Sequence, residues 1–286
     1  MFRRLFKDLY AYRDLLFAMT SRDITVRYKQ AIMGVAWAFF LPLLAVVSGV
    51  VIRVAMAHLS GQSMPPLSEV TEVMVRSVLW LLFASAVGGS AVSLIANLGL
   101  VTKIYFPREI LPLSNMLGRL FDFGVSVVGV VIVIAIMAML PNDSTAAATT
   151  STVQTSSPMV VSWYLFMLIP LVLLVTLMTT GLGLVLATAN VFFRDVKYIV
   201  EVLLRFGIFF SGVIVFAKDL PVTAAKILML NPLVPLMEAT SSVVVRGTIE
   251  PMLWPWLIYS AGWTALLCLV GLACFQKGEH LFAEYA

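Results

Sequence analysis

The stretch SRDITVRYKQAIMGVAWAFF, residues 21–40, begins in charge and ends in hydrocarbon. Arg22, Asp23, Arg27 and Lys29 fall within its first nine residues, and no further charge appears before Arg53. A bilayer core of about 30 Å is crossed by roughly 20 apolar residues in helical form. A backbone in lipid must satisfy its own hydrogen bonds, so the expected element is a helix. A basic cluster placed just before such a run holds that end of the helix at the membrane surface.

Composition agrees. The 286 residues are 61% hydrophobic and 12% charged, against roughly 25% charged in soluble domains. The net charge of +4 is too small to suggest a nucleic-acid partner. Cys268 and Cys274 lie in or near an apolar segment and read as membrane-buried hydrophobes rather than a disulfide or metal pair. His58 and His280 are too far apart to make a metal site, and no cofactor is expected. The thirty mixed-charge residues before the first apolar run do not fit a cleavable signal.

The apolar runs predict an all-α integral membrane fold with six transmembrane helices, at about 31–57, 77–100, 113–140, 160–190, 198–217 and 251–275. The fifth carries Glu201 and Arg205, spaced to pair on one helix face at the interface. Residues 1–30 form an N-terminal cytoplasmic segment, 31–276 the transmembrane domain and 277–286 a cytoplasmic tail. The Ser/Thr/Ala-rich stretch 142–158 reads as a flexible external loop. Between Lys218 and Glu250, Pro221, Pro232 and Pro235 break an apolar segment too short-stepped to span. It is expected to dip into the membrane as re-entrant helices, or to lie as a surface loop.

Basic residues set the orientation. Arg3, Arg4, Lys7, Arg13, Arg22, Arg27, Lys29, Lys103, Arg108, Arg194, Lys197 and Lys277 fall on one side, and Lys218, Lys226 and Arg246 on the other. Both termini are therefore expected in the cytoplasm. Leu5, Leu9, Tyr12, Leu16 and Met19 recur at helical steps, an amphipathic stripe that suits the membrane surface or a partner subunit. Ser21 is placed to cap a second short helix behind it.

SRDITVRYKQAIMGVAWAFFLPL, YFPREILPLSNML, FFRDVKYIVEVLL and LNPLVPLMEATSSVVVRG occur in that order across nearly the whole chain. Together they resemble the permease subunits of ABC exporters of bacterial surface polysaccharides, the O-antigen and teichoic-acid export family. The resemblance implies a homodimer in the bacterial inner membrane that works with two copies of a separate ATP-binding cassette subunit. Its substrate would be a lipid-linked polysaccharide. The chain has no G-x-x-x-x-G-K-[ST] pattern to grip a nucleotide, so it is not expected to be an enzyme itself.

With that resemblance, Lys103, Tyr105, Phe106, Arg108 and Glu109 are expected to couple to the ATP-binding subunit. Pro107 and Pro112 would bracket one short helix there, with Tyr105 and Phe106 filling a cleft on the partner. The turn at Phe193–Lys197 is a second contact. Trp37, Phe39 and Phe40 on span 1 and Phe206, Phe209 and Phe210 on span 5 would line the channel, since rings offer sugars a sliding apolar surface. Lipid-facing packing is the competing role for each. Arg22, Arg27 and Lys29 are candidates for a lipid pyrophosphate, and Arg119 and Asp122 are spaced to neutralise each other. Arg53 snorkels at the end of span 1. The alternatives are an ABC permease for drugs or small lipids, or an ATP-independent channel or secondary transporter.

Overall fold

The computed structural model describes residues 9–29, 36–59, 66–101, 106–139, 159–160 and 162–278. Among these every regular element is helical. We label the principal ones α1 (Arg13–Tyr28), α2 (Ala36–Leu59), α3 (Leu67–Ala96), α4 (Ile110–Met139), α5 (Leu168–Phe192), α6 (Val196–Gly207), α7 (Val222–Met229), α8 (Leu233–Arg246) and α9 (Trp254–Gly278).

Among the described residues four stretches are long and apolar enough to cross a bilayer: Leu67–Ala96, Ile110–Ile136, Trp163–Phe192 and Pro251–Gly278. Three of them match the apolar runs read from sequence closely. The second expected span, by contrast, begins ten residues early, at Leu67. The helix absorbs Glu69, Glu72 and Arg76 because their charges are neutralised within the fold.

Helix α3 is the centre of the bundle, with α2, α4, α5, α6 and α8 packed around it. Helix α5 is wedged between α3 and α9. There Gly181 and Gly271 let the backbones touch: a Cβ on Gly181 would lie 2.6 Å from the Leu267 carbonyl carbon, and one on Gly271 would lie 2.4 Å from the Gly181 oxygen. Small residues at such crossings give membrane helices their tightest packing.

Two expectations change. The proposed span 198–217 is not one helix. Helix α6 stops at Gly207 after 12 residues, a 3-10 turn follows at Ile208–Phe210, and Gly212 adopts φ 76°. Gly207 sits there because a Cβ would strike Trp80 at 2.7 Å, and Gly212 because few other residues tolerate positive φ. Likewise, α1 is continuous through Ser21, which starts no second helix, since neither proline nor glycine interrupts Arg13–Tyr28.

The stripe on the N-terminal segment also finds a different cover. Leu9, Leu16 and Met19, with Leu15, pack against the chain's own Leu94, Phe106, Ile110 and Leu111. Tyr12 of the stripe is exposed, as are Tyr10 and Phe17, and Leu5 lies outside the described residues.

The proline-broken segment forms α7 and α8, which meet at 104°. Asn231 fixes the bend: its Nδ2 donates to the Phe210 carbonyl (3.1 Å) and its Oδ1 accepts from the Leu233 amide (3.1 Å). Helix α8 is buried along most of its length.

Candidate functional site

Each end of the bundle carries a cluster of charges. At the end where α1 packs, Arg27 and Tyr28 reach across to α4. Arg27 Nη1 donates to Asp122 Oδ2, and the Tyr28 hydroxyl donates to Asp122 Oδ1 at 2.6 Å. Burial, and then this hydrogen bond, raise the Tyr28 phenol above its ordinary range. Arg119 lies on the same carboxylate, its Nη1 3.7 Å from Oδ2, as the three-residue spacing led us to expect. Two guanidinium groups therefore share one carboxylate. They line a cavity of about 280 Å³ together with Trp37, Ser85 and Ser126, over a floor of Val78, Leu81, Leu82 and Phe123.

The neighbouring basic residues are placed differently. Arg22 Nη2 donates to Asn97 Oδ1 (2.7 Å) and to Asp23 (3.1 Å), tying α1 to the end of α3. Lys29 is exposed.

The expected coupling loop is partly described. Lys103 and Tyr105 lie outside the described residues. Phe106 is 5% exposed, packed with Leu94, Ile110, Leu184 and Phe275. It thus points into its own chain rather than out toward a partner, and anchors the loop. Arg108 and Glu109 form a turn, and the helix runs from Ile110 straight through Pro112. Proline in a first turn removes no intrahelical hydrogen bond, so no separate short helix is bracketed here.

The second turn is well fixed. Buried Asn190 donates from Nδ2 to the Ala91 carbonyl (2.9 Å) and accepts from the Lys197 amide at 3.2 Å. This presents Phe193, Arg194 and Asp195 outward. Beside it, Val92, Ile95, Ala96, Leu98, Arg194 and Lys197 line a groove of about 400 Å³.

The expected channel rings are largely exposed on the single chain. Trp37 and Phe40 stand on α2. The Phe39 side chain lies outside what the structure describes. Phe206 ends α6, with Phe209 and Phe210 in the turn beyond, Phe210 being 70% exposed. The Glu201–Arg205 pair forms at 2.8 Å on an exposed face.

The opposite end holds a cluster that the linear sequence did not reveal. Arg76, only 1% exposed, donates to the Gly212 carbonyl and to Ser241 Oγ, both at 3.0 Å. Its Nη1 lies 2.9 Å from Glu238 Oε2, a charge contact whose angles fall short of a hydrogen bond, and its Nη2 3.7 Å from Glu72. Glu72 also meets Lys218 (3.1 Å) and Arg246 (3.4 Å), while Arg53 pairs with Glu69 (3.1 Å) and Asp219 (2.5 Å). The cations of Arg53, Arg76 and Lys218 all lie within 4.8 Å of the Phe216 ring centre. Arg53 thus binds within the fold instead of snorkelling alone. The Glu72–Arg76 spacing was the one local signal; the remaining partners come from distant segments.

Long apolar helices packed side by side, able to cross a bilayer, define a multi-pass membrane protein. The chain belongs to the ABC-2 type transporter family, whose family model matches residues 14–245. It is 27% identical over 275 residues to an O-antigen export system permease protein RfbA of Klebsiella pneumoniae, covering 95% of this chain and 94% of that one. It is likewise 27% identical over 287 residues to the RfbA permease of Myxococcus xanthus, covering 98% of each. A second Klebsiella pneumoniae RfbA permease is 26% identical over 275 residues. The chain is the permease part of an ABC transporter, in which ATP hydrolysis sits on a separate subunit.

Proposed function

We propose that this permease exports a lipid-linked surface polysaccharide of the O-antigen kind across the bacterial inner membrane. The match to O-antigen export permeases over nearly the whole chain carries this reading. The working unit is a homodimer with two ATP-binding subunits. Helix α2 and the broken α6 segment complete six passes with the four long helices, α7 and α8 form a re-entrant pair, and both termini lie in the cytoplasm. The exposed side of α1, with Phe17, and Tyr10 just before it rest in the membrane interface.

The exposed rings favour the dimer. Trp37 and Phe40 on α2 and Phe206, Phe209 and Phe210 at the end of α6 belong to segments that flank α3. In a dimer they line the channel, with Phe39, and pass sugar faces without gripping hydroxyls. Arg22 and Lys29 draw the carrier's pyrophosphate to this boundary by charge, while Arg27 is held by Asp122. The ATP-binding subunit docks on Lys103, Tyr105 and Arg108 and on the outward turn at Phe193–Asp195, while Phe106 and Glu109, both buried, hold the loop to the bundle.

Deleting the gene tests the reading. Surface polymer should disappear while lipid-linked polymer accumulates inside, and a plasmid copy should restore export. Unaltered surface polymer, with loss of efflux of a drug or small lipid instead, would favour the alternative permease class.

A further inference from the structure

The cavity shared by Arg27 and Arg119 holds more positive charge than its own carboxylate balances. Asp122 is the acid that lines it, and it already accepts from Arg27 and Tyr28. Arg119 is three-quarters covered. Among the described residues its Nε is buried and finds no hydrogen-bond acceptor. A desolvated guanidinium that its carboxylate reaches only at 3.7 Å is a strong site for an anion, and phosphate suits its fork best. Trp37 and Tyr28 add the amphipathic rings that favour the headgroup level of a membrane.

The surroundings specify the rest of the ligand. Val78 and Phe123 also line an apolar cavity of about 220 Å³ with Val127, Val130, Val131 and Ile134. From Asp122 to Ile134 helix α4 rises about 18 Å at 1.5 Å per residue. That is close to one leaflet, half of a hydrocarbon core of about 30 Å. Val127, Val128 and Val131 are exposed on this flank, so the groove opens sideways to lipid. The polar cavity is slightly below the roughly 300–1,000 Å³ of ordinary ligand sites. It has room for a headgroup and little for an attached sugar.

We propose that the cavity between α1, α3 and α4 is a resident site for an anionic phospholipid, its phosphate on Arg119 and Arg27 and its acyl chain along α4. The occupant belongs to the bilayer and is distinct from the exported glycan. This inference does not depend on which substrate the channel carries.

The test is native mass spectrometry of the full-length permease with its ATP-binding subunit, titrated with phosphatidylglycerol and with phosphatidylcholine. Wild type should retain one phosphatidylglycerol per permease copy, bound at least tenfold more tightly than phosphatidylcholine. R119Q should lose that preference, while R13Q, on the exposed part of α1, should keep it. D122N removes the internal competitor and should tighten phosphatidylglycerol binding. Equal affinity of wild type for the two lipids would overturn the proposal, and this comparison needs no variant to fold. Unchanged selectivity in R119Q would also overturn it. So would stoichiometric displacement of phosphatidylglycerol by a glycan-bearing carrier lipid, which would assign the cavity to the substrate.

Discussion

Nη1 of Arg76 lies 2.9 Å from Oε2 of Glu238, joining the central helix α3 to the buried limb α8 of the bent pair. The same guanidinium sits 4.2 Å from the centre of the Phe216 ring and holds the Gly212 carbonyl at the end of the broken α6 segment. One side chain thus fastens the central helix to α8 and to the irregular stretch between Gly212 and Phe216. Replacing it with Met leaves Glu238 buried without its cation. Removing one partner of a buried pair costs about 3–5 kcal/mol. R76M should therefore unfold at markedly lower temperature in detergent. The R76M/E238Q double variant should lose less than the sum of the single losses.

The two expected coupling residues of opposite placement should separate cleanly. Phe106 is core, and F106A should cost about 3–5 kcal/mol of stability, as aromatic truncations do. Charge reversal at exposed Arg194 should leave the melting temperature unaltered but lower recovery of the ATP-binding subunit in co-purification. Reduced co-purification from F106A without loss of stability would contradict this division.

Helix contact at Gly181 leaves no room for a side chain. G181V should drive α5 from α9 and abolish the folded, monodisperse protein in size-exclusion chromatography. Gly124 on α4 meets nothing within 4 Å. G124A should be neutral or stabilising by about 0.4–1 kcal/mol through loss of unfolded-state freedom.

Tyr28 supplies a pH test. Its phenol is raised in the fold by burial and by Asp122. The protonated form is therefore favoured in the native state, and its contribution is fully present below the unfolded value of about 10. It disappears as pH rises through the folded value. Wild type should lose stability relative to Y28F above about pH 10, and the two should run parallel below it.

Much of this architecture was legible because membrane helices need long uncharged runs. Residues 110–139, 163–192 and 251–278 announce themselves that way, and Pro221, Pro232 and Pro235 announce the broken pair. What stayed hidden depended on distant partners. Helix α3 could be extended back to Leu67 only by knowing that Arg76 meets Glu238 and that Glu72 meets Lys218 and Arg246. The stripe at Leu9, Leu16 and Met19 showed that one face is covered, but periodicity does not say by what. Arg119 and Asp122 were readable as a pair from their spacing. The arrival of Arg27 and Tyr28 from α1 was not, since it depends on how α1 packs against α4.

The proposed permease moves a glycan only when a separate ATPase drives it. Reconstitution of the purified chain in vesicles, with and without its ATP-binding subunit, measures this directly. Lipid-linked polysaccharide should cross the membrane only when both subunits and ATP are present. Translocation by this chain alone, or none by the complete complex supplied with ATP and the glycan, would contradict it.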